Sequence, residues 1–360
     1  MSSCNNTSVP ANDSNNRPNL DSCFFTDSVA AQICKLMAYC VVLLIGLVGN
    51  VVLAIIIRQR QELRRTVNYF IINMAISDFA FSLADIPIKL SQMTSNSFHW
   101  RVGGVAGSIL CKVYNFSTMT SLTVSLQSSA WIAVDRFIAV VFPMKVRFLS
   151  PRYRAIAIAS TWVLALAVRA PYMMAMNLRN YKNATYCGLW DVFMVFDNIT
   201  AFKSFSWATE AIFLILPLIL VTTLYFIIAV TLKRRIKQLA RISSHIQLQV
   251  HDKNAKAVKM ALCMMFAYDI CFIPYLILSY GFLGRLSCSM YKVLSFFVVF
   301  LLYLSSTINP LICFVFVRGF RIGLKWMLNK CFKKCVTNKS EINSRQGIVL
   351  KSVKLINSNK

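Results

Sequence analysis

Charge is scarce in this chain of 360 residues: 14% of positions carry it, and only 13 residues are acidic. A water-soluble chain carries about a quarter charged residues, because its surface has to be wet. With 57% hydrophobic residues and a mean hydropathy of +0.58, that shortage excludes an ordinary pair of soluble domains. Histidine is nearly missing. His99, His245 and His251 stand between apolar runs, and no Ser-His-Asp or H-E-x-x-H arrangement is present, so the sequence reads as something other than an enzyme. The first 29 residues, rich in Asn, Ser and Asp, hold no apolar leader, so no cleavable signal peptide is expected. Internal repeats are also missing, which argues against a transporter, the main alternative from another class.

Basic residues are what remain in excess: 39 Lys and Arg give a net charge of +26. Taken alone that would suggest nucleic acid. The apolar excess points to a membrane instead, and the location of the charge decides. Seven apolar runs cover Leu36–Ile57, Phe70–Leu90, Gly103–Val134, Ala155–Met176, Phe205–Leu232, Ala257–Leu283 and Val293–Val317. Each is long enough to cross about 30 Å of hydrocarbon at 1.5 Å per residue. Lipid offers no partner to backbone N–H and C=O groups, so the spans are helices. The expected fold is an all-α membrane protein, a seven-transmembrane helix bundle.

Arg58, Arg60, Arg64 and Arg65 follow the first span, which places that connection in the cytoplasm and the N-terminus outside. Counting Lys259 at the inner end of span six, the three inner connections and the tail hold 28 of the 39 basic residues, beside four acids; the outer segments hold six, and five lie within or at the ends of spans. After span seven, Val317, Phe320, Leu324 and Met327 share one helical face, and Arg318, Arg321 and Lys325 another. That pattern predicts an amphipathic eighth helix on the inner leaflet. The expected organisation is an extracellular tail over 1–32, a seven-transmembrane domain over 33–317, the membrane-surface helix over 318–335 and a disordered basic tail over 336–360.

Polar residues inside the spans need a reason, since a charge at mid-bilayer costs roughly 2.5–3.5 kcal/mol on insertion scales. Gly49-Asn50, Asn73 through Asp78, Cys111, Asp135-Arg136-Phe137, Trp162, Pro217 with Tyr225, Cys271 with Pro274, and Asn309-Pro310 occur in a set order over all seven spans. In that set the chain resembles the rhodopsin-like (class A) G-protein-coupled receptors, from roughly Ile33 to Cys335. The resemblance implies a plasma-membrane receptor that activates a heterotrimeric G protein, with arrestin and membrane lipids as further partners and no nucleic acid. It implies no cofactor beyond a sodium ion held by Asp78 with Asn50, Ser125 and Asn309, a set of oxygen donors that suits a hard cation. It implies that Asp135 tethers Arg136 until the G protein arrives, and that Arg136 and Tyr225 then meet it.

Several positions depart from the family pattern. Phe272 replaces the Trp of C-W-x-P, Cys313 replaces the Tyr of N-P-x-x-Y, and Asn254 stands where many members carry an acid that locks the arginine. Asp269 is an unexpected charge that either supplies a polar link or faces a hydrated cavity. Pro171, Pro217, Pro274 and Pro310 each remove an i to i−4 bond and bend four spans.

The resemblance implies a disulfide between Cys111 and Cys187, and the spacing of Cys23 and Cys288 resembles a second bridge found in chemokine and nucleotide receptors. Cys331 and Cys335, among lysines past the eighth helix, are either palmitoylated or plain cytosolic thiols. Asn5, Asn6, Asn12 and Asn183 head glycosylation sequons on the outer side.

Opsin and aminergic ligands are disfavoured, because Tyr303 stands where opsins carry the retinal lysine and Thr118 where aminergic receptors carry an aspartate. Asp85 and Lys89 are one turn apart and can pair, as can Arg169 and Glu210. Two readings stand: internal salt bridges that serve packing, or acceptors and donors for a ligand, with Phe272 beneath it. Tyr186-Cys187-Gly188-Leu189-Trp190 looks like the β-hairpin of neuropeptide receptors. An extracellular peptide is therefore the expected ligand, and the alternative is a lipid or nucleotide with its anionic group on Arg169 and Lys89.

Overall fold

A computed structural model describes residues 27–64, 66–95, 97–142, 150–181, 183–239, 245–281 and 288–330, leaving aside the side chains at 236–239, 245–258, 261, 279–281, 288–289 and 291. Asn5, Asn6, Asn12, Cys23, Cys331 and Cys335 lie outside the described residues, as do the side chains of Cys288 and Asn254.

The apolar runs fold as helices α1 (Val29–Gln59), α2 (Thr66–Thr94), α3 (Gly104–Val141) and α4 (Pro151–Ala175). An antiparallel hairpin of β1 (Met176–Tyr181) and β2 (Ala184–Leu189) follows. Helix α5 comes in three registers: α-helical over Ile199–Glu210, π-helical over Ala211–Ile215 and α-helical again over Leu216–Leu239. Helices α6 (His245–Gly281) and α7 (Cys288–Phe316) complete the bundle, and a last helix, α8, covers 318–330. Caps mark the starts. Ser28, Ser150 and Asn198 each accept from the backbone N–H three residues on, at 3.3, 3.3 and 2.8 Å.

Among the described residues six helices are long and apolar enough to cross a membrane, and α6 contributes the shorter apolar helix Leu262–Leu278. That stretch is strongly apolar, with Asp269 its one charge, and it lies within a helix of 37 residues.

Helix α1 turns its mid-span amide inward. On α1, Tyr39, Val42, Gly46, Asn50, Leu53 and Ile57 are buried, whereas Val41, Leu44, Val48, Val51 and Ile55 are exposed. The exposed stripe is entirely aliphatic and the buried one carries the amide, the reverse of a soluble helix. Small residues set the spacing: a Cβ on Gly46 would lie 2.5 Å from Ser82 Oγ, so glycine is what lets α1 and α2 approach. Helix α3 is the centre of the bundle, packed against α2, α4, α5 and α6. At 38 residues it spans about 57 Å.

The kinks have identifiable causes. Pro171, Pro274 and Pro310 lie inside α4, α6 and α7, and Pro87 adds a further one in α2. Pro217 sits two residues past the π segment Ala211–Ile215. Its ring would clash with the carbonyl four residues back, and one extra residue in the turn relieves that conflict.

Helix α8 docks on α1 instead of resting its whole apolar face on lipid. Phe320 is fully buried, and Gly319 and Gly323 face Leu63 and Ile56 so closely that an added Cβ would lie 2.8 and 2.4 Å from them. Ile322, Trp326 and Leu328 remain exposed.

Candidate functional site

The hairpin closes over one end of the bundle. A disulfide joins Cys111 on α3 to Cys187 on β2. Ser108 Oγ donates to Asn177 Oδ1 at 2.8 Å, which fixes β1 on the same helix end. The loop between α2 and α3 joins it: Trp100 N–H donates to Thr185 carbonyl at 2.7 Å, and His99 Nε2 lies 3.0 Å from the Tyr186 hydroxyl. Asn183 sits at the hairpin tip with φ of 63°, a left-handed position that asparagine tolerates. Trp190 folds back over Arg179, whose guanidinium lies 5.3 Å from the ring centroid.

Deeper in the bundle a cavity of about 60 Å³ is lined by Thr123, Arg169, Glu210, Phe213, Phe272 and Tyr275, among others. That is room for a few waters or the tip of one side chain. Arg169 Nη1 lies 3.3 Å from Glu210 Oε1, with the two side chains 7% and 14% exposed. Arg169 Nε donates to Thr123 Oγ1 at 3.2 Å, and its guanidinium stands 5.6 Å from the Tyr172 ring. Glu210 is the last residue before the π segment. Phe272 forms the floor, 4% exposed.

The residues expected to bind ligand therefore divide. Arg169, Glu210 and Phe272 meet at the cavity. Asp85, Thr118 and Tyr303 do not: each is about 5% exposed or less and belongs to a second buried cluster between α1, α2, α3 and α7. There Thr118 Oγ1 donates to Asp85 Oδ1 at 3.4 Å, and Tyr303 packs 5.2 Å from Tyr39 and 5.5 Å from Phe81. The Asp85–Lys89 ion pair does not form. The Lys89 ammonium lies 5.9 Å from the Phe98 ring centroid, over the loop, while Asp85 turns into the bundle. Helical spacing allows such a pair, but competing hydroxyls drew the carboxylate inward.

Asn50, Asp78, Ser125 and Asn309 converge on one buried layer. Asn50 Nδ2 donates to the Gly46 and Ser306 carbonyls at 2.8 and 3.0 Å, and Asn309 Nδ2 donates to Asp78 Oδ2 at 2.7 Å. Tyr268 enters the same layer and was missed in the sequence. Its signal was there: a phenol one helical turn from Phe272 needs a hydrogen-bond partner inside a membrane. A second hub was legible only in part. Asn73 Nδ2 donates to Ser128 Oγ at 2.8 Å and Thr161 Oγ1 at 3.1 Å, while Trp162 Nε1 donates to Asn73 Oδ1 at 2.8 Å, joining α2, α3 and α4.

At the opposite end Arg136 donates to Asp135 Oδ2 through Nη2 at 2.5 Å and Nε at 3.1 Å. Tyr225 is 2% exposed and packs with Ala133, Val140, Val221, Ile228 and Met265, which seals α3, α5 and α6 together. Outside the spans, Asp27 accepts from Lys35 at 2.6 Å and Lys292 at 2.8 Å, tying the start of α1 to α7. Burial pushes the Asp27 carboxyl up, but the two lysines outweigh it and hold the group below its ordinary range.

Comparison with known proteins agrees with this architecture. The model of the 7 transmembrane receptor (rhodopsin family) matches residues 49–312. The chain is 28% identical to the substance-K receptor of Canis lupus familiaris over 82% of its own length and 75% of that protein's. It is 25% identical to neuromedin-U receptor 2 of Rattus norvegicus, over 83% and 76%. It is 26% identical to galanin receptor 2b of Danio rerio, over 87% and 79%. A match over most of the bundle, which holds both the buried polar layer and the tethered arginine, places the chain in the rhodopsin family of seven-transmembrane receptors.

Proposed function

We propose that this chain is a plasma-membrane receptor, with its N-terminus outside, that binds an extracellular peptide and activates a heterotrimeric G protein. The observation that carries the reading is the buried Arg169–Glu210 pair beside a small cavity, below a hairpin pinned to α3 by the Cys111–Cys187 bond. The cavity admits one side chain or chain terminus, so the rest of a ligand has to lie on the hairpin and the loop joined to it. That is how a peptide binds. A lipid or nucleotide head group on Arg169 would first have to displace Glu210, and losing that partner leaves a buried acid unpaired at a cost of about 3–5 kcal/mol. The relatives, receptors for substance K, neuromedin U and galanin, support the same class.

In this reading the protein makes and breaks no covalent bond. The ligand prefers one conformation and shifts its population. Opening of α3, α5 and α6 frees Arg136 from Asp135, and Arg136, Tyr225 and the basic stretch Lys233–Lys237 then meet the G protein. Arrestin competes for the same opening, and α8 with Cys331 and Cys335 holds the inner leaflet. Asn5, Asn6, Asn12 and Asn183 carry glycans, and Cys23 with Cys288 forms a second outer bridge. A calcium or impedance screen of amidated peptides in cells expressing the chain tests the proposal. Activation by a peptide that Glu210→Gln or Arg169→Gln weakens at least tenfold supports it; unchanged potency in both variants overturns the assigned site.

A further inference from the structure

The buried polar layer contains a hydroxyl that changes what the layer can hold. Tyr268 is 2% exposed and lies on α6. Its hydroxyl stands 2.6 Å from Ser125 Oγ and accepts from Asn309 Nδ2 at 2.9 Å. The same Asn309 nitrogen donates to Asp78 Oδ2 at 2.7 Å. One hydrogen-bonded chain thus runs Asp78–Asn309–Tyr268–Ser125 through α2, α7, α6 and α3.

The resemblance implies a sodium ion among Asn50, Asp78, Ser125 and Asn309, and the residues present do not fit one. A hard cation needs several convergent oxygens with free lone pairs. Here the Ser125 hydroxyl is shared between the phenol and the Asp78 carboxylate, and the amide group that faces the same carboxylate is an N–H donor. Among the described residues, the buried amide oxygens of Asn50 and Asn309 are left without a hydrogen-bond partner. Asn50 itself is held on α1 and α7 through its nitrogen. The phenol is also packed, its ring stacked on Phe272 at 5.9 Å with planes 25° apart.

We propose that the Tyr268 hydroxyl stands in the place of the cation, so that this layer is closed by protein hydrogen bonds and the receptor is indifferent to sodium. The same hydroxyl links α6 to α3 and α7, a link that Cys313 cannot make because a thiol is a weak donor. The inference needs no ligand and is independent of the peptide reading.

Thermal unfolding of the detergent-solubilised full chain, in matched sodium chloride and choline chloride series, tests it. The wild-type curve is expected to coincide in the two salts. Tyr268→Phe removes the hydroxyl and keeps the ring, and is expected to gain a sodium-specific rise of about 2–4 °C once sodium exceeds its dissociation constant roughly tenfold. Asp78→Asn in that background should remove the gain. A sodium-specific rise in the wild type that Asp78→Asn abolishes overturns the proposal, and so does a folded Tyr268→Phe that ignores sodium. If Tyr268→Phe does not fold, the wild-type series still decides.

Discussion

Glu210→Gln is the most informative single change, because it separates a pair that packs from one that merely lies nearby. Both side chains are largely out of solvent, 7% exposed for Arg169 and 14% for Glu210, with 3.3 Å between charged atoms. Removing one partner of a buried pair costs about 3–5 kcal/mol, mostly from stranding the other charge. Arg169 keeps its bond to Thr123 and the new amide still accepts a hydrogen bond, so the low end, about 3 kcal/mol, applies. At roughly 2–4 °C per kcal/mol for chains somewhat shorter than this one, thermal unfolding in detergent should fall by about 6 °C. Arg169→Gln should cost a similar amount. The double variant, with neither charge, should cost little more than either single, about 3–4 kcal/mol where additivity would give about 6, a coupling of about 2–3 kcal/mol. Two single variants each costing under about 0.5 kcal/mol, and additive in the double, would refute a buried interacting pair.

Three further outcomes follow from the geometry. Asn73→Ala removes the acceptor of Trp162 and the donor to Ser128 and Thr161; a loss of roughly 2–4 kcal/mol is expected, read as reduced surface expression and lower thermal stability, with Trp162→Phe adding less in that background than alone. Gly323→Val places carbon against Ile56, within 2.4 Å for the Cβ alone; it should cost about 1–3 kcal/mol and undock α8, lowering disulfide cross-linking between cysteines placed at Ile56 and Phe320. Asp27, held below its ordinary carboxyl value of 3.8 by two lysines, ties the α1 start to α7. Since its folded value is depressed, its contribution is present above pH 3.8 and fades as acid carries the pH below that. Amide exchange at Ala30–Ile33 should therefore rise with Asp27→Asn at neutral pH and differ little between variant and wild type in strong acid.

Much of the bundle was legible because lipid imposes simple demands. A run long enough to cross, with no charge, has to be a helix. The exceptions are instructive. Span six reads as an apolar run from Ala257, and only the structure shows that its helix starts well before that, at His245. The π segment over Ala211–Ile215 has no periodic signature, because it is a local answer to Pro217. Helix α8 showed its amphipathic face, but the two glycines that let it pack on α1 read as ordinary small residues until Ile56 and Leu63 were opposite them.

Sequence alone determined that this protein crosses the membrane seven times, because hydrocarbon accepts only closed backbones and the basic residues cluster in alternate connections. It also marked which buried polar residues had to matter, since each is costly without a partner. Which partner each one takes was decided by the tertiary structure. Asp85 had Lys89 one turn away and went instead to Thr118 on α3, whereas Arg169 and Glu210, 41 residues apart, met. Spacing along one helix says which side chains share a face. Only the packing of helices says what that face opposes, and in a low-dielectric interior the opposing group settles where a polar side chain rests.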